Sequence, residues 1–300
     1  MLSLTIEPRA VRVPETTKEF LKEHKIPDLG EEFAKPLVAP PPQFSLKANM
    51  SPVKNQGSAG TCYAFGCNSA LEYSNGRIDL SEGNLTDVVS RSYHGCDCHA
   101  GGAIGETMGV CASQGIVSST DWAYDQTKCC WNPPPNVGGK THYKFSRIAT
   151  VFQRPSLEVF EHMRRSLTVE GRFRERSSPG NFVAIIKSCL FNAHVPVVLD
   201  VPVWFKSSHH FDAGWDYGPD VHMPTPAQLR LWLEVCVERR DASDPPGIDG
   251  WHVIPICGFD DTTARFEFKN SWAWWWGSQG YGTIPYDYIT QYSRIGMIGS

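Results

Sequence analysis

One cysteine and one glutamine stand where nucleophilic catalysis would need them. Cys62 begins a helical pattern directly after a loop with three small residues, Gly57, Ser58 and Gly60. The first N–H groups of a helix have no partner within it, and the helix dipole adds positive charge, so a thiol there is partly ionised near neutral pH. Gln56 lies upstream of Cys62, where the loop can direct the amide N–H of Gln56 towards the substrate carbonyl that the thiolate attacks. Together with the Cys62 N–H it would make a two-donor oxyanion hole.

A histidine and an asparagine later in the chain complete this set of residue types. An imidazole beside a cysteine favours a thiolate–imidazolium pair, which supplies a nucleophile and later a general acid. An asparagine side chain can accept a hydrogen bond from the imidazole and fix its tautomer and orientation. The residues that flank them make His252 and Asn270 the candidates for these two roles.

Three segments resemble motifs of the papain and cathepsin cysteine peptidases. Residues 56–65 read Gln-Gly-Ser-Ala-Gly-Thr-Cys-Tyr-Ala-Phe, residues 250–260 read Gly-Trp-His-Val-Ile-Pro-Ile-Cys-Gly-Phe-Asp, and residues 270–281 read Asn-Ser-Trp-Ala-Trp-Trp-Trp-Gly-Ser-Gln-Gly-Tyr. In this order they are similar to the family's nucleophile segment, histidine strand and asparagine loop. The resemblance implies a peptidase in which Cys62 is the nucleophile and His252 its proton partner. It also implies that Asn270 orients the imidazole and that Gln56 binds the oxyanion.

The same resemblance assigns five substrate-binding residues. The pair Gly101-Gly102 would let the substrate backbone approach closely enough for main-chain hydrogen bonds. Trp272 would cover the hydrogen bond between histidine and asparagine, and Trp276 would lie near the leaving-group side. Trp251, next to the histidine, completes the predicted set.

Several positions depart from the family pattern. Ala59 replaces a cysteine that forms a disulfide beside the active site in relatives, which fits a reducing compartment. Ala273 stands where relatives usually have glycine. Trp274 and Trp275 extend a run of three tryptophans, which core packing or a substrate subsite could explain. Along the sequence, Cys62 and His252 are separated by about 50–60 more residues than in a typical member. This predicts insertions near 156–180 and 221–248.

Composition narrows the range of partners and locations. The chain of 300 residues has a net charge of −4 and a pI near 6.2, which argues against nucleic acid and acidic membrane surfaces as partners. No stretch approaches 18 apolar residues, so no membrane span is expected. The first ten residues lack the basic start and apolar run of a secretory signal. We therefore expect a cytoplasmic protein, the alternatives being a trimmed signal or another secretion route.

The order of patterns predicts an α+β fold. Helical patterns dominate from about residue 45 to 124, and strand patterns follow from about 143. We expect a papain-like two-lobe fold, with a helical lobe, a β-rich lobe and a cleft between them. Residues 1–42 read as an extension with a short helix capped by Thr16 or Thr17 and a proline-rich connector. Residues 43–300 would form the peptidase domain.

One group of cysteines has three interpretations. Cys96, Cys98, His99, Cys129 and Cys130 have the side chains of a zinc site, but their spacing fits no common zinc motif. A disulfide between the two loops and free thiols are the other two. We expect no metal and no cofactor.

The predicted activity is hydrolysis of peptide bonds in a peptide or protein substrate, through a thioester on Cys62. Acyl transfer or peptide cyclisation would use the same thioester, with an amine in place of water. A binding module without activity is a third alternative, although the four catalytic residue types are all present. Residues 1–42 would either lie across the cleft and inhibit the enzyme or brace the two lobes.

Overall fold

A computed structural model describes residues 14–35, 38–97, 100–155, 158–159, 182–203, 215, 218–225 and 250–300. The two predicted insertions, near 156–180 and 221–248, lie almost wholly outside these residues. Within the described ranges, no helix has the length and apolar character needed to cross a membrane.

Helices dominate the first half of the chain, as predicted. They are α1 (Lys18–Glu23), α2 (Gly30–Phe33), α3 (Cys62–Ser74), α4 (Glu82–Tyr93) and α5 (Ile104–Ser113). Thr17 caps α1 by accepting from the Phe20 N–H, and Ser81 caps α4 by accepting from the Asn84 N–H. Helix α3 is buried along most of its length, from Cys62 to Glu72. It therefore forms the centre of the helical lobe.

Six strands from the second half of the chain and one from the first half form an antiparallel sheet. These are β1 (Gln43–Ser45), β2 (Ile148–Gln153), β3 (Val197–Val203), β4 (Gly250–Asp260), β5 (Arg265–Lys269), β6 (Tyr281–Pro285) and β7 (Ile295–Gly299). Their order is β2-β7-β3-β4-β5-β6, and β1 pairs with the end of β4. Two further α-helices, α6 (Phe182–Phe191) and α7 (Tyr286–Tyr292), and a short 3-10 helix (Lys47–Asn49) complete the described elements. This arrangement confirms the predicted α+β class.

Side chains that point alternately to the two faces of the central strands divide the hydrophobic core into two clusters. On β4, Ile254 and Ile256 belong to a cluster with α6 and α7, whereas Trp251 and Val253 belong to a cluster with α3, α4 and α5. Neighbouring strand residues point to opposite faces, so one strand serves both cores. Gly66 of α3 meets β4 directly, since a Cβ there would lie 2.7 Å from a Val253 methyl carbon. The nucleophile helix is therefore packed against the histidine strand.

The N-terminal arm, here residues 14–35, packs against the outside of both halves. Leu21 enters the helical core cluster, and the Thr16 hydroxyl accepts a hydrogen bond from the Gly105 N–H at 2.9 Å. Asp28 forms a parallel bridge with Thr150 of β2, an edge strand of the described sheet. These contacts make the arm part of the folded unit, while the predicted domain boundary at residue 42 stays a prediction.

For two members of the cysteine group, the structure confirms one of the three interpretations, a disulfide. Cys96 and Cys130 form a disulfide with Cα atoms 5.6 Å apart, so zinc ligation and free thiols are wrong for these two. Cys98 and His99 lie outside the described residues. A disulfide is typical of oxidising compartments, which speaks against the reducing compartment inferred from Ala59. The cytoplasmic location stays a prediction.

Candidate active site

Cys62 lies at the start of α3 and is fully buried. Its thiol donates to the carbonyl oxygen of Trp251 at 3.9 Å, so the sulfur faces β4 at the residue that precedes His252. The N-cap residue Thr61 makes no side-chain cap, because its hydroxyl pairs with that of Tyr124 at 2.8 Å. The Ala64 N–H donates to the Thr61 carbonyl, whereas the N–H groups of Cys62 and Tyr63 are directed at the Cys62 sulfur, where the oxyanion proposal requires donors.

His252 is held by contacts on several sides. Its Nε2 lies 2.8 Å from the Asn270 Oδ1, and its ring stacks on Trp272 with centroids 4.6 Å apart. Trp215 approaches the ring edge-to-face at 5.7 Å. The Asn270 Oδ1 also accepts from the Ser271 N–H at 2.8 Å, which fixes the orientation of the amide. An oxygen acceptor at Nε2 places the proton there and leaves Nδ1 as the ring nitrogen for exchange with a thiol.

Gln56 connects the nucleophile loop to the asparagine loop. Its backbone N–H donates to the Ser271 carbonyl at 2.8 Å, and its side-chain Oε1 accepts from the Ser271 hydroxyl at 2.5 Å. Its Nε2 donates to the Ala59 carbonyl at 2.8 Å. An amide NH₂ carries two hydrogens, so one remains for a substrate oxyanion. Neither Ser271 nor Tyr124, whose hydroxyl donates to the Gln56 carbonyl, was predicted, because no pattern in the sequence links them to this loop.

Burial sets the charge state of the pair. Burial raises the pKa of the Cys62 thiol to about 12, although backbone N–H groups of Val253, Tyr63 and Cys62 oppose the shift. Burial also lowers the pKa of His252 to about 4, and the Asn270 hydrogen bond offsets only part of that shift. The described state therefore holds a neutral thiol and a neutral imidazole. This differs from the predicted ion pair, because both groups are removed from the water that would stabilise their charges.

A buried charge network lies beneath the asparagine loop. Lys54 pairs with Glu72 at 2.5 Å and with Glu82 at 2.8 Å. Lys269, directly before Asn270, donates to the hydroxyls of Ser51 and Ser69, and burial lowers its pKa to about 8. The network connects the two halves of the molecule and fixes the backbone that carries Asn270.

The predicted substrate-binding residues occupy two kinds of environment. Gly101 has a φ of 70°, which favours glycine, and the next residue, Gly102, lies against the Tyr63 ring. Trp272 covers the imidazole, and Trp276 is buried, donating to the Trp215 carbonyl at 2.8 Å. The Trp251 ring lies in the helical core, which sequence reasoning did not expect of a substrate-binding side chain.

Trp251 is held in place by a charged pair. The Arg294 guanidinium lies 3.5 Å from the centre of its ring and pairs with Asp200 at 2.7 Å. All three side chains are buried. The predicted substrate-binding roles of this tryptophan and of the other four residues stay predictions.

The substitution Gly102→Ala is expected to destabilise the protein by about 1–3 kcal/mol. The added Cβ would lie 2.6 Å from the Tyr63 ring, which is buried next to Cys62 and has little room to move. Urea unfolding checks this, with Gly109→Ala as the matched control on α5. A Cβ at Gly109 meets no atom within 4 Å, so that variant should be more stable by about 0.5–1 kcal/mol. Equal stabilities of the two variants would contradict the steric argument.

Comparison with known proteins agrees with this geometry. The family model for papain family cysteine proteases matches residues 41–167, which include Gln56 and Cys62. Over these residues, which are less than half of the chain, the protein is similar to the papain family. Chymopapain from Carica papaya is 31% identical over 125 residues, or 38% of this chain, and digestive cysteine proteinase 1 from Homarus americanus is 31% identical over 87 residues, or 27% of this chain. These matches span only 35% and 27% of the two relatives' lengths.

Solved structures of cysteine proteases are similar in fold to nearly the whole of this chain. Xylellain, a cysteine protease from Xylella fastidiosa, matches with a TM-score of 0.64 at 16% identity, covering 98% of this chain and 96% of that one. Procathepsin L2 from Tenebrio molitor larval midgut matches with a TM-score of 0.58 at 19% identity, covering 98% and 84%. At such identities the likeness establishes the fold, which is the predicted papain-like fold of two lobes.

Proposed function

We propose that this chain is a papain-family cysteine peptidase that hydrolyses peptide bonds through a thioester on Cys62. The observation that carries the proposal is the His252–Asn270 hydrogen bond, placed under Trp272 and on the strand against which Cys62 is packed. A cysteine in the core of an ordinary protein needs no oriented imidazole beside it. The family match in the segment of Cys62 supports the same assignment.

The proposed reaction has two stages, acylation and deacylation of Cys62. The Cys62 thiol gives its proton to His252 Nδ1, and the sulfur attacks the carbonyl carbon of the scissile bond. The oxyanion accepts hydrogen bonds from the Cys62 N–H and the free hydrogen of the Gln56 amide. The imidazolium then protonates the leaving amine, the C–N bond breaks, and a thioester remains. Water attacks the thioester after losing a proton to His252, which releases the acid and restores the thiol.

Substrate binding must accompany an opening of the site. Cys62 is fully buried and His252 is 1% exposed, so a peptide cannot reach the sulfur in the described state. Opening would also admit water, which reduces the desolvation that raises the pKa of Cys62 and lowers that of His252. The reactive ion pair is therefore a property of the open state.

Labelling with a thiol-directed epoxide tests the proposal. We expect the epoxide to modify Cys62 and to abolish cleavage of a fluorogenic peptide in parallel. His252→Ala should slow the labelling, whereas Lys128→Ala, which alters an exposed pair with Asp125, should leave it unchanged. Labelling without any peptide cleavage would favour an inactive binding module and overturn the proposal.

Acyl transfer and peptide cyclisation remain the alternatives within the same chemistry. They differ only in the group that attacks the thioester, an amine in place of water. Incubating the enzyme and a peptide with a competing amine, followed by mass spectrometry, separates them. Hydrolysis predicts mainly the free acid, and acyl transfer predicts mainly the amide.

We also propose that residues 1–42 restrain the site in the full chain. Leu21 lies in the same apolar cluster as Cys62 and Trp251, and Thr16 binds the first turn of α5, which follows Gly101-Gly102. Some structural neighbours are proforms, such as the procathepsin L2 of Tenebrio molitor. An arm in this position would oppose the opening that substrate requires.

The substitution Leu21→Ala is expected to raise peptidase activity by weakening the arm's contact with the helical core. Glu23→Ala on the exposed side of α1 is the control and should leave activity unchanged. Activity and thermal unfolding are measured on the same samples. A restraining arm predicts higher activity for Leu21→Ala, whereas a bracing arm predicts lower activity together with a lower melting temperature.

A further inference from the structure

The loop between β5 and β6 separates its tryptophans into two pairs. Trp272 and Trp276 are 8% and 5% exposed, whereas Trp274 and Trp275 are 67% and 54% exposed. The two exposed rings contact each other edge-to-face, with centroids 6.3 Å apart. Core packing therefore explains the first pair and leaves the second pair, here called the outer tryptophans, without a role in the fold.

Such exposure is uncommon for the largest apolar side chains. Among the described residues, the other exposed large apolar side chains are Val38, at 58%, and Tyr93, at 37%, which are not adjacent in sequence. Tryptophan offers a large apolar surface at little cost in conformational freedom and is enriched in binding interfaces. Two of them side by side indicate a surface that another molecule covers.

The loop holds the outer tryptophans in a fixed arrangement. The Ala273 N–H donates to the Lys54 carbonyl at 3.1 Å, and the Gly280 N–H donates to the Trp276 carbonyl at 2.8 Å. Ala273 has a φ of 68°, which turns the chain outward between the buried Trp272 and the exposed Trp274. A surface fixed before binding loses little entropy when a ligand arrives.

This loop lies on the leaving-group side of the proposed site. Trp272 stacks on His252, the group that protonates the leaving amine, and it pairs with Asn55, next to the oxyanion residue Gln56. Two residues of chain span at most about 7 Å, so the backbone of Trp274 lies no further than that from the backbone of Trp272. The part of a substrate that follows the scissile bond must pass the imidazole and therefore approaches the outer tryptophans.

We propose that Trp274 and Trp275 form a subsite for a large apolar side chain on the leaving-group side of a peptide substrate. Because an extended peptide advances about 3.3 Å per residue, the second or third residue after the scissile bond reaches them. The subsite rests on the proposed peptidase function. It makes the enzyme selective for peptides with an aromatic or large aliphatic residue at that place.

Three substrates with one common acyl part test the subsite. The first peptide carries phenylalanine at the second and third positions after the scissile bond, the second peptide carries serine there, and the third substrate is an arylamide with no residues after the bond. We expect the double variant Trp274→Ala/Trp275→Ala to lower kcat/KM for the first peptide about tenfold. The serine peptide and the arylamide should change by less than about twofold.

Lys128→Ala is the control, because Lys128 is also exposed but lies outside the loop of the outer tryptophans and outside the proposed restraining arm of residues 1–42. It should leave all three substrates unchanged. An equal loss for all three substrates in the double variant would assign the outer tryptophans a structural role. No loss for any of them would also overturn the subsite.

The proposed function and the subsite can fail separately. If the wild-type protein cleaves none of the three substrates, the peptidase proposal fails. If it cleaves all of them and the double variant does so equally well, only the subsite fails. Analytical ultracentrifugation of the wild type and the double variant tests a third outcome. If the wild type is a dimer and the double variant is a monomer, the outer tryptophans bind a second copy of the chain, and the subsite proposal is overturned.

Discussion

Cys62→Ala is expected to lower peptide turnover by a factor on the order of 10⁴ or more, because it removes the atom that forms the thioester. Folding should survive, since the thiol makes only a long contact with the Trp251 carbonyl and alanine suits a helix start in a buried setting. Turnover of a fluorogenic peptide and urea unfolding, measured on the same preparation, separate loss of chemistry from loss of fold.

Cys111→Ala provides the matched control for that experiment. Cys111 is also a free, buried helical cysteine, but it lies on α5 and its thiol takes no part in the proposed chemistry. Its turnover should stay within about twofold of the wild type. Unchanged turnover in Cys62→Ala, or an equal loss in both variants, would contradict the assignment of the nucleophile.

Acidification is expected to destabilise the closed state through His252. Its pKa is about 4 in the folded protein, against 6.5 for the free side chain. The unfolded chain therefore binds the proton first as the pH falls, and the free energy of unfolding should drop by about 3 kcal/mol between pH 7 and pH 4. The loss begins near pH 6.5 and levels off below pH 4.

Two variants separate the contribution of His252 to the pH dependence of stability from the contribution of the carboxylates. Unfolding in urea is measured against pH for Cys62→Ala, which prevents self-digestion, and for Cys62→Ala/His252→Gln. Glutamine can still donate to Asn270 but takes up no proton. The first variant should lose about 3 kcal/mol more than the second between pH 7 and pH 4. Parallel curves would show that His252 is not buried in solution as it is in the described state.

The sequence predicted the chemistry of this site better than its environment. Cys62, His252 and Asn270 stand in local patterns, and the structure places His252 against Asn270 and the Cys62 sulfur against the strand of His252. Burial depends on what packs over these residues from distant parts of the chain. Trp215, which contacts the His252 ring, has no neighbouring pattern that could have revealed this contact. The neutral state of the pair was therefore beyond sequence reasoning.

The fold was predicted in the same uneven way. Helix α4, which follows its cap Ser81, and strand β3, which is a mostly apolar run, lie within the ranges where the sequence predicted helices and strands. The start of α5 at Ile104 has no local signal in the sequence, because the Gly105 N–H donates to Thr16 of the distant arm and the Ala103 N–H donates to the Glu106 side chain. The bounds of strands β6 and β7 have no clear local signal either, because both strands are short and contain glycine and their pairing partners are set by the sheet.

The bridge between Asp28 and Thr150 has a consequence for handling the protein. Strand β2 is at one margin of the described sheet, and residues 27–29 occupy part of its free side through hydrogen bonds from Leu29 and Thr150. An uncovered margin of this kind can recruit a strand from another molecule. Truncated forms that lack about the first thirty residues should therefore aggregate at high protein concentration, which light scattering would detect.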